Sequence, residues 1–154
     1  MKAVRSDAGA LGLLAVAARH PHQFEAGDRL GARAGTEGLY DVVVEAAGTA
    51  DSLARSIELV APGGTVVVLG LHVGTVALDW MPLFNREARV TPSLGYCAPD
   101  ERREMEEAAE MLARDPEIAR TLITHRYPID DAGEAFRVAA DRASGAIRVV
   151  IEPT

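Results

Sequence analysis

Asp41-Val-Val-Val-Glu45 and Thr65-Val-Val-Val-Leu69 are two short β-branched runs without polar alternation, as expected of strands in a parallel sheet covered on both faces. Between them Thr49 stands where a helix N-cap belongs, and Leu53, Ile57 and Val60 form one apolar stripe. Pro62-Gly63-Gly64 is read as the end of that helix. Strand, helix and strand in so short a span predict a right-handed parallel crossover. A third strand is expected from Ala88 to Leu94, beyond a Pro-containing stretch in which Trp80 and Phe84 are read as covering the sheet edge.

Upstream, Leu11, Leu14, Ala15 and Ala18 recur at helical spacing, so a helix is read from Gly9 to Ala18 and Pro21 is taken to break it. A weaker helix follows from His22 to Leu30, with Gly27 in its interior at a cost of about 1 kcal/mol relative to Ala. Gly31 to Gly38 reads as loop. Downstream, Asp100 is placed as the cap of a helix carrying Met105, Ala108, Ala109 and Leu112, which stops at Asp115-Pro116. Asp131 and Glu134 have the spacing of a capping box, with Ala132, Ala135, Phe136 and Ala139 as the stripe behind it. Gly145 suits a C-terminal turn before a last strand from Ile147 to Ile151.

The 154 residues suffice for one domain, and 48% hydrophobic content is enough for a buried core. The formal net charge is -7, and the 16 Lys and Arg are scattered, which argues against nucleic acid or an anionic membrane as partner. Cys97 is the single cysteine, so no internal disulfide framework exists and a reducing, cytoplasmic setting fits. No apolar run approaches the roughly 20 residues of a membrane span. The four histidines, His20, His22, His72 and His125, show no spacing expected of metal ligands, and zinc is not expected in this chain. Cys97 is read as a small buried residue rather than a nucleophile.

Asp41-Val-Val-Val-Glu-Ala-Ala-Gly48, Pro62-Gly-Gly-Thr-Val-Val-Val-Leu-Gly70, Arg86-Glu-Ala-Arg89, Leu122-Ile-Thr-His125, Asp130-Asp-Ala-Gly-Glu-Ala-Phe136 and Gly145-Ala-Ile-Arg-Val-Val-Ile151 form an ordered set. Together they resemble the C-terminal portion of zinc-type medium-chain alcohol dehydrogenases. That resemblance implies an α/β fold: a truncated, Rossmann-like, doubly wound parallel sheet over residues 1–97. Residues 98–154 would be the helix-helix-strand segment that in the family returns to the catalytic domain. It also implies NAD or NADP as cofactor and hydride transfer with an alcohol or polyol. The zinc-bearing catalytic domain has no counterpart here, so the chain is not expected to be active alone: it is either completed by a separate catalytic-domain chain or an inactive remnant of a longer gene.

Before residue 40 the resemblance is fragmentary. Gly9 and Gly12 match the last two glycines of the dinucleotide turn, with Asp7 in place of the first, and read equally as an ordinary helix start. Arg19, His20 and His22 match positions just beyond the second strand of the fold. That strand and the tail of the first helix look missing, which favours a solvated turn there. By the same resemblance Gly48, Gly70, Leu71 and His72 line the cofactor at the strand ends, and Leu94 and Gly95 border the nicotinamide. Gly48 and Gly70 equally permit sharp turns whatever they bind. Arg148 either reaches the pyrophosphate or marks the solvated face of the last strand. The resemblance also implies a homodimer or larger assembly through the strand from Ala88 to Leu94. The alternative is a non-catalytic module that binds a nucleotide or a protein.

Overall fold

The computed structural model describes residues 13–35, 37–95 and 103–153. They fall into two compact units, residues 36–104 and residues 2–35 with 105–154. Every strand pairing is parallel, and a helix lies in sequence between each pair of partners.

The first unit carries β3 (Tyr40–Glu45), α2 (Ala50–Leu59), β4 (Val60–Val68), α3 (Met81–Arg86) and β5 (Arg89–Pro92), with strand order β3-β4-β5. Thr49 caps α2 as expected, its hydroxyl accepting from the Ser52 amide at 3.1 Å. Register places Val43, Val66 and Val90 side by side on one face. There Leu53 and Ile57 of α2 and Leu83 of α3 close over them. Val60 and Val66 are fully buried, and each contributes on the order of 1.5–3 kcal/mol of apolar burial.

Several expectations are corrected in this unit. Pro62-Gly63-Gly64 does not end the helix; α2 stops at Leu59, and the chain enters β4 at Val60 through an irregular stretch of the ladder. Arg86 supplies the missing C-terminal partner, donating from Nη1 to the carbonyls of Ile57 (2.7 Å) and Glu58 (3.0 Å). The sheet is not covered on both faces, because both helices pack on the face of Val66; Val42 is 60% exposed on the other. Trp80 and Phe84 are exposed, and Leu83 between them takes the buried position.

In the second unit β1 (Ala15–Val16), α1 (Pro21–Arg29) and β2 (Arg33–Ala34) make one small crossover. The helix read from Gly9 to Ala18 is thus overturned at its described end, which is a strand. Pro21 starts α1 instead of breaking a helix, since at the first helical position its absent N–H costs nothing. Gly27 sits inside α1 for a packing reason: a Cβ there would lie 2.9 Å from Val16 Cγ1.

The same unit holds α4 (Glu104–Arg114), α5 (Pro116–Leu122), β6 (Ile123–Pro128), α6 (Ala132–Ala140) and β7 (Arg148–Glu152). Asp100, the expected cap of α4, lies outside the described residues. The chain stops α4 at Arg114 as expected, yet Asp115-Pro116 also opens α5 and leads into β6. The capping box at Asp131 does not form. That residue ends a 3-10 turn with φ -99° and ψ 18°, and Arg137 takes the Glu134 carboxylate at 2.8 Å. The stripe of α6 is shifted too, with Ala135 and Val138 buried and Phe136 71% exposed.

Candidate functional site

An open parallel sheet presents a crevice at the C-terminal ends of its strands, where the connections leave for the helices. In the first unit those ends are Glu45 of β3, Val68 of β4 and Pro92 of β5, which lie in register. The chain leaving β3 must turn at once into α2, and the chain leaving β4 crosses it closely.

Gly48 has φ +71°, a conformation L side chains rarely adopt, and a Cβ there would stand 2.8 Å from the Leu71 carbonyl oxygen. Gly70 is closed for a different reason: its Cβ would meet Glu45 Oε2 at 2.5 Å and Gly48 Cα at 2.6 Å. Two backbones can therefore cross only because neither carries a side chain. Leu69 and Gly70 both donate their amides to the Glu45 carbonyl, at 2.8 and 3.1 Å, which pins the exit of β4 to the end of β3.

The side chain of Glu45 lies beneath this crossing and has no solvent exposure. Its Oε1 accepts from the Ala47 amide (2.7 Å), the Gly48 amide (2.8 Å) and the Ser52 hydroxyl (2.7 Å). Its Oε2 lies 3.0 Å from His72 Nε2. Burial pushes the carboxyl up, but the Ser52 hydroxyl, the Gly48 amide, His72 and the Ala47 amide together outweigh it. The net result holds the group below its ordinary value of 4.5.

The structure thus brings together Gly48, Gly70, Leu71 and His72 from the sequence-derived set. Leu94 and Gly95 follow β5 at the same end of the sheet, and Leu94 is exposed. Arg148 belongs to the other unit, where it opens β7 with an exposed side chain. Gly9 and Gly12, like Asp7 and Cys97, lie outside the described residues. Arg19 and His20 lie in the connection between β1 and α1, and the rings of His20 and His22 stack at 5.4 Å. Sequence reasoning missed Glu45 and Ser52. The available signal was a carboxylate ending an apolar strand, where solvent-facing alternation does not explain it.

The close backbone crossing at the strand ends suits a ligand approached mainly by main-chain groups. Among the described residues no three His, Cys, Asp or Glu side chains form a group that could hold a metal ion. His72 faces Glu45, and His125 Nδ1 lies 3.0 Å from Thr124 Oγ1. No helix among the described residues is long and apolar enough to cross a membrane.

Comparison with known proteins gives a consistent result. Residues 8–114 match the profile of the zinc-binding dehydrogenases. L-arabinitol 4-dehydrogenase of Aureobasidium melanogenum is 33% identical over 111 residues, 72% of this chain and 29% of that protein. Sorbitol dehydrogenase of Mus musculus is 27% identical over 113 residues, 73% of this chain and 30% of that protein. Among solved structures, one described as a zinc-binding dehydrogenase from Sinorhizobium meliloti bound to NADP superimposes with TM-score 0.66 at 26% identity, covering 88% of this chain and 44% of that one. 2R,3R-butanediol dehydrogenase from Bacillus subtilis gives TM-score 0.72 at 20% identity over 88% of this chain and 42% of its own, a likeness of fold. The chain spans under a third of the length of these curated relatives.

Proposed function

Since this chain belongs to the zinc-binding dehydrogenase family, we propose that it is the dinucleotide-binding portion of an NAD(P)-dependent oxidoreductase of alcohols or polyols, acting in the cytoplasm. The observation that carries the reading is the Gly48–Gly70 crossing at the ends of β3 and β4, inside the matched region. A bound nicotinamide dinucleotide would supply the hydride acceptor. The chain's own contribution is to bind and orient it, through Gly48, Gly70, Leu71 and His72, with Leu94 and Gly95 beside the nicotinamide. Gly9 and Gly12 would meet the pyrophosphate, with Arg148 as a further phosphate ligand. Asp7, at the position of the first glycine by resemblance, would weaken such a turn by like-charge repulsion.

The described residues hold no group of three metal ligands, so in this reading polarisation of the substrate oxygen falls to a zinc-bearing catalytic part outside residues 1–154. Titration of the purified chain with NADH and with NADPH, followed through Trp80 fluorescence, tests binding. No affinity for either NADH or NADPH would overturn the assignment, whereas stoichiometric zinc with alcohol-dependent reduction of NAD or NADP by this chain alone would overturn the expectation that it is inactive by itself.

Self-association through β5 belongs to the same reading. The strand is at the edge of its sheet and Val90 lies in it, although Pro92 lacks an N–H and leaves the outer ladder one donor short. Val90→Pro should shift a dimer toward monomer. A wild-type chain that sediments as a folded monomer would exclude this part. The alternative of a non-catalytic nucleotide- or protein-binding module draws on the open sheet face at Val42 and Val44; capture of a protein partner without any dinucleotide affinity would favour it.

A further inference from the structure

We propose that Glu45 is a positioning residue of the crevice: one buried carboxylate, held by donors from both crossing segments, sets the orientation of Gly48 and of the Gly70–His72 turn toward a bound dinucleotide. The proposal rests on the dinucleotide reading above and adds to it a residue that touches no ligand.

The geometry separates two halves of the task. Oε1 gathers donors from the segment that leaves β3: the amides of Ala47 and Gly48, and Ser52 in the first turn of α2. Ser52 is itself engaged, since its Oγ lies 2.8 Å from the Thr49 hydroxyl and Thr49 caps the same helix. Oε2 instead faces the segment that leaves β4, through His72 Nε2. One side chain thereby ties the two segments together.

An ionised carboxylate only accepts, so Nε2 must carry a proton, and whenever the imidazole is neutral that is its single N–H. His72 Nδ1 is then left with its lone pair, and the ring is held as an acceptor rather than a donor. With 13% of the His72 side chain exposed, the imidazole is anchored below and open at one side. A ligand meeting it there must bring a donor, as a ribose hydroxyl or a carboxamide NH₂ does. Crossing backbones that exclude even one methyl group leave little freedom for this turn once the anchor is in place.

Glu45→Gln divides the two halves. The amide oxygen retains acceptance from Ala47, Gly48 and Ser52, but the NH₂ cannot accept from His72 Nε2–H, so that bond survives only if the imidazole changes tautomer. The test combines ¹⁵N spectroscopy of the His72 ring with NADH titration of the full chain as wild type, E45Q, H72Q and the double variant. We expect an Nε2–H tautomer in wild type, lost in E45Q. We also expect about tenfold weaker NADH binding in each single variant, and no further loss in the double variant, because both act through one contact. A purely structural role would leave the effects additive and the tautomer unmoved.

Retention of the wild-type tautomer in E45Q, or NADH affinity unchanged in a variant with wild-type unfolding behaviour, would overturn the proposal. If wild type itself shows no affinity for NADH, the dinucleotide reading fails, and the inference that rests on it fails too. The ring spectra would still show whether Glu45 sets the turn. Should E45Q not fold, H72Q alone carries the test: unchanged NADH affinity there removes the anchored imidazole from the crevice.

Discussion

Gly70→Ala is the sharpest perturbation the crossing allows. The new methyl would stand 2.5 Å from Glu45 Oε2 and 2.6 Å from Gly48 Cα, and closer still to the Gly48 nitrogen. None of these atoms ends a flexible side chain with somewhere to go. Gly48 cannot retreat cheaply, because its amide is bonded to Glu45 and its own Cβ position is already filled by Leu71. Overpacking of this kind costs typically about 1–3 kcal/mol. If Gly48 does move, Glu45 also loses a charge-assisted bond, worth about 1.5–3 kcal/mol. The two terms overlap, so a destabilisation of about 3–4 kcal/mol is expected. Urea unfolding followed by Trp80 fluorescence reads it directly, since Trp80 belongs to the same unit as Gly70. Gly133→Ala in α6 is the control. No heavy atom lies within 4 Å of its built Cβ, and the change should be neutral or stabilising by up to about 1 kcal/mol. A Gly70→Ala protein within about 1 kcal/mol of wild type would refute the crossing as described.

Three further outcomes follow from single contacts. Gly27→Ala gains about 1 kcal/mol of helix propensity yet should destabilise, because its Cβ meets Val16 Cγ1 at 2.9 Å; Val16→Ala introduced with it should recover part of the loss in thermal unfolding. Arg86→Ala removes both donations to the end of α2 and should cost about 1–2 kcal/mol in urea unfolding, the side chain being only partly buried. The Glu45 carboxyl is held below 4.5 when folded, so the stability it contributes is fully present above that pH. It is lost as pH falls through the lower folded value. Urea midpoints measured at neutral pH and below about pH 4.5 should therefore fall more for wild type than for E45Q; parallel profiles would contradict the carboxylate's role.

The three-stranded unit was legible because its apolar runs are local and its cap is chemical. Val42 to Val44, Thr49 and the stripe of Leu53 and Ile57 each specify their element within a few residues. The reading of residues 13–18 misled for the converse reason. Leu11, Leu14, Ala15 and Ala18 satisfy a helical period, but Ala15–Val16 is only two residues long, and its state is fixed by pairing with Arg33–Ala34. A strand that short carries no period of its own. β6 was readable in principle, since Ile123, His125 and Tyr127 alternate in burial with Thr124, Arg126 and Pro128.

The candidate site divides along the same line. Glycines announce a tight turn, so Gly48 and Gly70 stand out in the sequence alone. What each glycine avoids does not, because the atoms concerned lie on the other segment: Leu71 for Gly48, Glu45 and Gly48 for Gly70. Glu45 was passed over because the donors that hold it, the Ala47 and Gly48 amides, Ser52 and His72, come together only in the fold. Only the fold shows it without exposure and with four partners. A buried carboxylate without donors would be among the more costly groups a small unit could hold. With those donors it stays ionised below the crossing, and the desolvation it suffers is offset only while both segments remain in place. Its burial and the closure of the crevice are consequently one equilibrium: whatever parts Gly70 from Gly48 also returns Glu45 to water.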